Sequence, residues 1–351
     1  MTIYINGKYL AQRLTGVQRY AFEITKALVS LGAPIIVLIP PTVDVSTVNL
    51  PSHVLLSIGW FKNVHLWEQI SIDNFLRGKR NYVLLNLCNM APLMSKNQIV
   101  CIHDMAFYEQ PNWFSWSFRK FYHFAIPRLV KRAKKVITVS EFSKNEVCDR
   151  LHCPEQLVSV VYNAPSSKFS FSKLEDIIFD KEDFFLFVGS HDPRKNLAIL
   201  IKLFSLKEFS NQKLIIVGGK SNSFNMVALK ESPNVIFKEN CDDTELANYY
   251  SKARALINPS LYEGFGLPVI EAMAMGCPII LSDIEVFKEV AGSGAVYFSP
   301  HSLDSLRSTM NYFLSLEIEI RNKQIEKNFY RSENFSWHNS GNELLRVLNT
   351  L

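Results

Sequence analysis

The chain has 351 residues, 48% hydrophobic and 20% charged, with 38 Lys+Arg against 33 Asp+Glu for a formal charge of +5. This composition excludes a disordered chain, a collagen-like repeat and a small disulfide scaffold, and the length implies two hydrophobic cores rather than one. The mild basic excess suits an anionic small molecule or membrane surface, and no nucleic acid partner is expected.

Short apolar runs alternate with helical patterns from end to end. In the first half, strands are expected at 2–5, 35–39, 82–87, 99–102 and 136–139, with helices at 17–31, 65–76, 117–131 and 144–151. A polar stretch at 162–181, opening on Asn163-Ala164-Pro165-Ser166-Ser167, is the best linker. Further strands follow at 184–188, 214–217, 235–237, 255–257, 278–281 and 296–298, and Leu344, Leu345 and Leu348 mark a last helix at 336–351. Continuous apolar strands separated by helices imply parallel sheets covered on both faces. The expected fold class is therefore α/β, with two doubly wound Rossmann-like domains and ligands at the carboxyl ends of the strands.

The residues at 2–5 read as a strand and lack the basic and apolar regions of a signal peptide, and no apolar run approaches the ~18 residues of a membrane span. A cytoplasmic protein is expected, soluble or peripheral on the inner face of the plasma membrane. Cys88, Cys101, Cys148, Cys153, Cys241 and Cys277 form no Cys-x-x-Cys pair, so reduced and mostly buried thiols are expected.

The strongest motif is 258–283, where a strand leads into Glu263-Gly264-Phe265-Gly266-Leu267-Pro268 and then a helix containing Glu271. Strand, glycine loop and helix N-terminus together expose backbone N–H groups at the positive end of a helix dipole, a setting for a diphosphate. Glu263 and Glu271 flank this pocket, Glu271 in the helix's expected first turn, where carboxylates accept hydrogen bonds from sugar or ribose hydroxyls. Upstream, Gly189-Ser190-His191-Asp192-Pro193-Arg194-Lys195-Asn196 repeats the pattern, and Arg194 with Lys195 would neutralise a diphosphate. A third glycine turn follows the strand at 213–220.

These motifs resemble the retaining glycosyltransferases of family 4, which have the GT-B fold. The paired glutamates Glu263 and Glu271, the Pro193-Arg194-Lys195-Asn196 stretch and the glycine loop Thr15-Gly16-Val17-Gln18-Arg19-Tyr20 carry the likeness. Ile102-His103-Asp104 and the run at 136–143 are similar to its mannosyltransferase-like branch. The resemblance implies an N-terminal acceptor domain at 1–165, joined by the helix 336–351, and a nucleotide-sugar donor domain at 166–335, facing a deep cleft. It implies that Gly16 approaches the donor diphosphate, His103 contacts the transferred sugar, and Arg194 and Lys195 hold the diphosphate. Glu263 would touch the donor sugar, Phe265, Gly266 and Leu267 offer backbone, Glu271 bind the ribose, and Gly189 line the donor site. Two positions depart from the family pattern: Ala164 replaces a frequent glycine, and His191 a common apolar residue.

The chain has no Asp-x-Asp, and Asp242-Asp243 reads as a helix start, so no metal and no cofactor is expected. The helix at 118–135 interleaves aromatic and basic residues; it fits either a solvated core helix or one resting on anionic lipid. The expected activity is metal-independent transfer of a hexose from a nucleotide diphosphate sugar to a saccharide acceptor, possible lipid linkage included. On branch resemblance the first choice is mannose from GDP-mannose, for O-antigen or capsule. Another UDP-, dTDP- or GDP-sugar, an epimerase or phosphorylase, and an inactive scaffold are the alternatives.

Overall fold

The computed structural model describes residues 1–110, 113–169, 171, 173–177, 179–219, 232–239 and 241–351. Lys220 of the third glycine turn, Asn240 between Phe237 and Cys241, and Ser170, Ser172 and Ile178 of the linker lie outside the described residues.

The chain forms two compact units. The first holds Met1–Met105, Lys120–Asn163 and Ser336–Leu351, and the second Ala106–Arg119 and Ala164–Phe335. The stretch Ala106–Arg119 thus groups with the second unit, a placement that the reading of 1–165 as one domain did not include.

In the first unit the strands are β1 (Thr2–Asn6), β2 (Ile35–Ile39), β3 (Leu55–Ser57), β4 (Tyr82–Asn86), β5 (Gln98–Cys101), β6 (Lys135–Thr138) and β7 (Val158–Val160). Among the described residues they form a parallel sheet in the order β3-β2-β1-β4-β5-β6-β7. The helices are α1 (Gly16–Ser30), α2 (Val64–Leu66), α3 (Ile72–Leu76), α4 (Trp116–Arg132), which joins this unit from Lys120 on, and α5 (Glu141–Leu151). The helix expected at 65–76 is interrupted: a π turn at Trp67–Ser71 separates α2 from α3. That wider turn carries Glu68 inward, where it accepts from Lys8 Nζ at 2.7 Å and Asn6 Nδ2 at 2.8 Å. α5 begins at Glu141, earlier than expected, because the Ser140 hydroxyl caps it by accepting from Ser143 N.

In the second unit β8 (Glu182–Val188), β9 (Lys213–Val217), β10 (Val235–Lys238), β11 (Ala253–Asn258), β12 (Ile279–Ser282) and β13 (Val296–Phe298) form a parallel sheet in the order β10-β9-β8-β11-β12-β13 among the described residues. Its helices are α6 (Leu197–Phe204), α7 (Asp243–Lys252), α8 (Leu267–Ala274), α9 (Glu285–Ala291), α10 (Leu303–Ser315) and α11 (Ile318–Ser332). Phe185, Leu200, Phe204, Ile216, Ile257 and Phe313 join one face of the sheet to its helices in a continuous core. Asp242 caps α7, accepting from Thr244 N and Glu245 N at 2.8 Å each.

After its excursion at Ala106–Arg119 the chain leaves the first unit for the last time after Asn163 and returns to it at Ser336. There α12 (Trp337–Asn349), capped by Ser336, packs on α1. Gly341 makes the close approach possible, since a Cβ on it would lie 2.9 Å from Leu31 Cδ1. None of the six cysteines is paired; Cys101 and Cys277 are buried and the other four half-buried.

In each sheet one strand has neighbours reached in opposite directions along the chain: β1 between β2 and β4, β8 between β9 and β11. In open parallel sheets the carboxyl ends at such a reversal are where ligands bind.

Candidate active site

The reversal in the second sheet brings together the two motifs that the sequence keeps 68 residues apart. β8 leads into the loop carrying Gly189 to Lys195, and its neighbour β11 into the loop carrying Ser260 to Gly266. Glu263 is buried at 5% exposure and Lys195 at 7%. Glu263 Oε1 accepts from Lys195 Nζ and, at 2.8 Å, from Ser260 Oγ. Its Oε2 accepts from Arg194 Nη1 at 2.9 Å. Backbone bonds fix the same approach: Leu261 N donates to Arg194 O at 2.8 Å, and Arg194 Nη1 reaches Tyr262 O at 3.3 Å.

Burial alone would raise the Glu263 carboxyl, but the adjacent Lys195 and Arg194 charges outweigh it and hold the group at about 2. Glu263 is therefore an anion throughout the neutral range. Asp192, also buried, lies 3.4 Å from Arg194 Nε and accepts from Ser190 Oγ at 2.5 Å. Arg194 and Lys195, read from the sequence as a pair open to an anion, are thus already engaged by two carboxylates. Neither Asp192 nor Ser190 was singled out, though Asp192 stands directly before the proline that opens the turn.

Glu271 sits in the second turn of α8, not the first, because the helix begins at Leu267 with Pro268 at its second position. It is buried, and its Oε2 accepts from Tyr250 Oη at 2.9 Å. Tyr250, on α7, carried no motif; its signal is an apolar helical position whose hydroxyl finds a partner only in the fold. Phe265 is buried and meets Phe335 edge-on at 5.6 Å. Gly266 caps α8 at φ +100, where a Cβ would lie 2.8 Å from Phe287 Cε1, so the loop requires glycine there. Leu267 follows, half-buried, as the first residue of α8. Gly189 N donates to Val217 O at 3.0 Å, and His191 N to Gly219 O at 3.2 Å, joining the turns after β8 and β9.

In the first unit Gly16 is exposed as the first residue of α1, whose preceding Thr15 makes no side-chain cap bond. The first amides of a helix have no partner within the helix itself. His103 follows β5 and is buried. Asn89 Oδ1 accepts from its backbone N at 2.7 Å, and its carbonyl accepts from Ser143 Oγ at 3.0 Å. Its ring Nε2 lies 2.8 Å from Leu87 O; a carbonyl only accepts, so Nε2 carries the hydrogen. Burial lowers the ring's proton affinity, with the Leu87 carbonyl and Asp104 opposing. The neutral ring therefore has Nδ1 as its acceptor atom. Among the described residues no group of three or more His, Cys, Asp or Glu side chains is arranged to hold a metal ion.

Two doubly wound parallel-sheet units, one with a buried glutamate–lysine–arginine cluster ahead of a glycine-capped helix, have the GT-B fold that the chain shares with solved glycosyltransferases. The family model described as Glycosyltransferase Family 4 matches residues 14–165, and that described as Glycosyl transferases group 1 matches 171–331. The chain belongs to glycosyltransferase family 4. It is 34% identical over 223 residues to the O-antigen chain mannosyltransferase RfbU of Salmonella typhimurium, covering 62% of this chain and 61% of that protein. It is 22% identical over 369 residues to O-antigen chain mannosyltransferase B of Escherichia coli, covering 96% and 97%. Anabaena HepE, solved with UDP and glucose, shares the fold at a TM-score of 0.74 and 15% identity, over 100% of this chain and 99% of that one.

Proposed function

We propose that the protein is a retaining, metal-independent hexosyltransferase that moves mannose from GDP-mannose to a hydroxyl of a saccharide acceptor during synthesis of a bacterial O-antigen or capsule. The observation that carries this reading is the ionised, buried Glu263 held by Lys195 and Arg194 where β8 and β11 end. Oε1 takes two donors and Oε2 one, which leaves Oε2 room for a donor hydroxyl of the sugar. Lys195 Nζ carries three hydrogens and gives one to Glu263, so it keeps donors for the diphosphate. Together with Arg194 and the α8 N-terminus, where Phe265, Gly266 and Leu267 offer backbone, it would stabilise charge growing on the leaving diphosphate. Gly16 serves the diphosphate through the α1 amides, Gly189 keeps the donor loop open, Glu271 takes the ribose, and His103 Nδ1 accepts from a hydroxyl of the transferred sugar. Mannose and O-antigen rest on the names of the two relatives; UDP-glucose remains a second candidate because HepE was solved with UDP and glucose.

The test is a thermal-unfolding panel of GDP, UDP, dTDP, ADP and CDP, each in EDTA. The favoured nucleotide at ~100 times its Kd should stabilise the protein by about 2.7 kcal/mol, and GDP is expected to stand out. A response from UDP instead would move the donor to a UDP-sugar. No response from any nucleotide, or one that needs Mg²⁺, would remove the metal-free donor site.

A peripheral contact with anionic membrane belongs to the same proposal. Among the described residues no helix is long and apolar enough to cross a bilayer. Along α4, Lys120, Phe121, Phe124, Arg128 and Lys131 recur at helical spacing and are exposed, as is Lys134 beyond it, and α4 contains no acidic residue. Arg128 stacks on Phe124 at 3.6 Å, joining the charged and aromatic parts of this face. Arg132 and Lys135 bond to the carbonyls of Met94 and Gln156, and Arg128 to that of Phe124 within its own helix. Replacing Lys120, Arg128, Lys131 and Lys134 by glutamine should weaken binding to vesicles containing phosphatidylglycerol by roughly 10-fold or more. Unchanged partition in a flotation assay would exclude this face.

A further inference from the structure

Tyr20 lies on α1, one turn beyond Gly16, and is fully buried. Its ring meets that of His103 edge-on, with centroids 4.9 Å apart and planes at 87°. Its hydroxyl donates to Val161 O at 3.3 Å, two residues before the chain leaves the first unit. The same ring meets Trp337 edge-on at 5.9 Å, one residue after the chain re-enters that unit. Beside this contact Ser340 Oγ donates to Tyr162 O at 2.8 Å, so the departing and returning segments are tied to each other as well.

His103 is otherwise fixed at its backbone and at Nε2. A histidine held by one ring nitrogen can still pivot about that bond, and such a pivot swings Nδ1 away from its target. The perpendicular Tyr20 ring packs against the imidazole and opposes the pivot. Tyr20 is in turn anchored by Val161 and Trp337.

We infer that Tyr20 is a positioning residue for His103, setting the direction of Nδ1 and linking it to the last departing segment, at Val161, and the last returning segment, at Trp337, of the first unit. The inference rests on the reading of His103 as a contact of the transferred sugar. If Tyr20 were only core filling, its loss would lower stability and leave sugar recognition untouched.

The experiment compares Kd for the free nucleotide and for its nucleotide sugar by titration calorimetry. The pair is GDP and GDP-mannose, or whichever pair the nucleotide panel selects in their place. The ratio of the two constants reads contacts to the sugar and cancels those to the nucleotide. His103→Ala should lower that ratio by roughly 3- to 10-fold, the worth of one hydrogen bond. Tyr20→Leu should lower it by a similar factor with the nucleotide Kd unchanged, whereas Tyr20→Phe, which keeps the ring, should stay within about 2-fold of the parent. In the His103→Ala background, Tyr20→Leu should have no further effect. Should Tyr20→Leu fail to fold, Trp337→Leu takes its place with the same expected loss and the same non-additivity. A full second loss in the double variant overturns the positioning role while His103 keeps its own. An unchanged ratio in His103→Ala overturns the reading of His103, and the inference with it.

Discussion

Glu263→Ala should abolish transfer and lower the stability of the second unit by about 3 to 5 kcal/mol, because it leaves the buried Lys195 and Arg194 without their shared partner. Loss of Glu263 from a surface loop would cost little; here Lys195 is 7% exposed and cannot recover its lost interaction from water. Glu263→Gln separates shape from charge, since its amide fills the same space and accepts at one atom. The glutamine variant should also be inactive, with a smaller loss in denaturant midpoint. Acid supplies an independent check. The carboxyl lies at about 2 in the folded protein against an ordinary 4.5. Its contribution is therefore complete above pH 4.5 and is lost as pH falls toward 2. That window should remove about 3 kcal/mol from the parent and none of it from Glu263→Gln. Wild-type turnover by a folded Glu263→Ala variant would remove this residue from the mechanism.

Gly218→Ala is expected to be nearly as damaging, although Gly218 is not itself one of the charged residues at the site. It follows β9 at φ +132, and a Cβ there would sit far inside van der Waals contact with the Gly189 carbonyl oxygen. The backbone conformation alone costs about 1 to 3 kcal/mol in a residue with a side chain. The clash is with backbone, which has no rotamer to escape into, so the turn after β8 must move. That turn leads directly to Asp192, Arg194 and Lys195. Total destabilisation of about 3 kcal/mol or more is expected, together with loss of nucleotide-dependent stabilisation. Gly219→Ala is the matched control, because a Cβ at that position meets nothing within 4 Å among the described residues. A Gly218→Ala protein with parental melting temperature and nucleotide response would show that the two turns need not approach so closely.

Strands flanked by neighbours on both sides were the most legible part of the fold. β1, β4, β5, β8, β11 and β12 are buried on both faces and so read as unbroken apolar runs. β3 and β7 escaped notice for the converse reason. Each has only three residues and lies at an edge of the first sheet, so Leu55–Ser57 and Val158–Val160 are shorter than the runs that mark a strand in sequence. The helix at 65–76 shows another limit: its spacing is helical, but Glu68 bonds to Asn6 and Lys8 about 60 residues away in sequence, and the turn containing it is widened.

The site divides in the same way. The glycine loop at 264–266, the proline opening α8 and the order of charged residues around them are local features, and local chemistry requires particular residues there: a cap at φ +100 needs glycine, and an early helical position accepts proline. By itself, then, the sequence determined the strand–loop–helix units and the residue types at their tips. Which tips meet was decided by the tertiary structure alone. Strand order sets β8 beside β11 and sends β9 and β10 to the far side, so Lys195 and Arg194 reach Glu263 across 68 or 69 residues of chain. Hydrophobic periodicity records how deeply each residue is buried; it does not record which buried charge faces which. That pairing follows from the sheet's topology, and it turned two cations that looked open to an anion into the partners that keep Glu263 ionised.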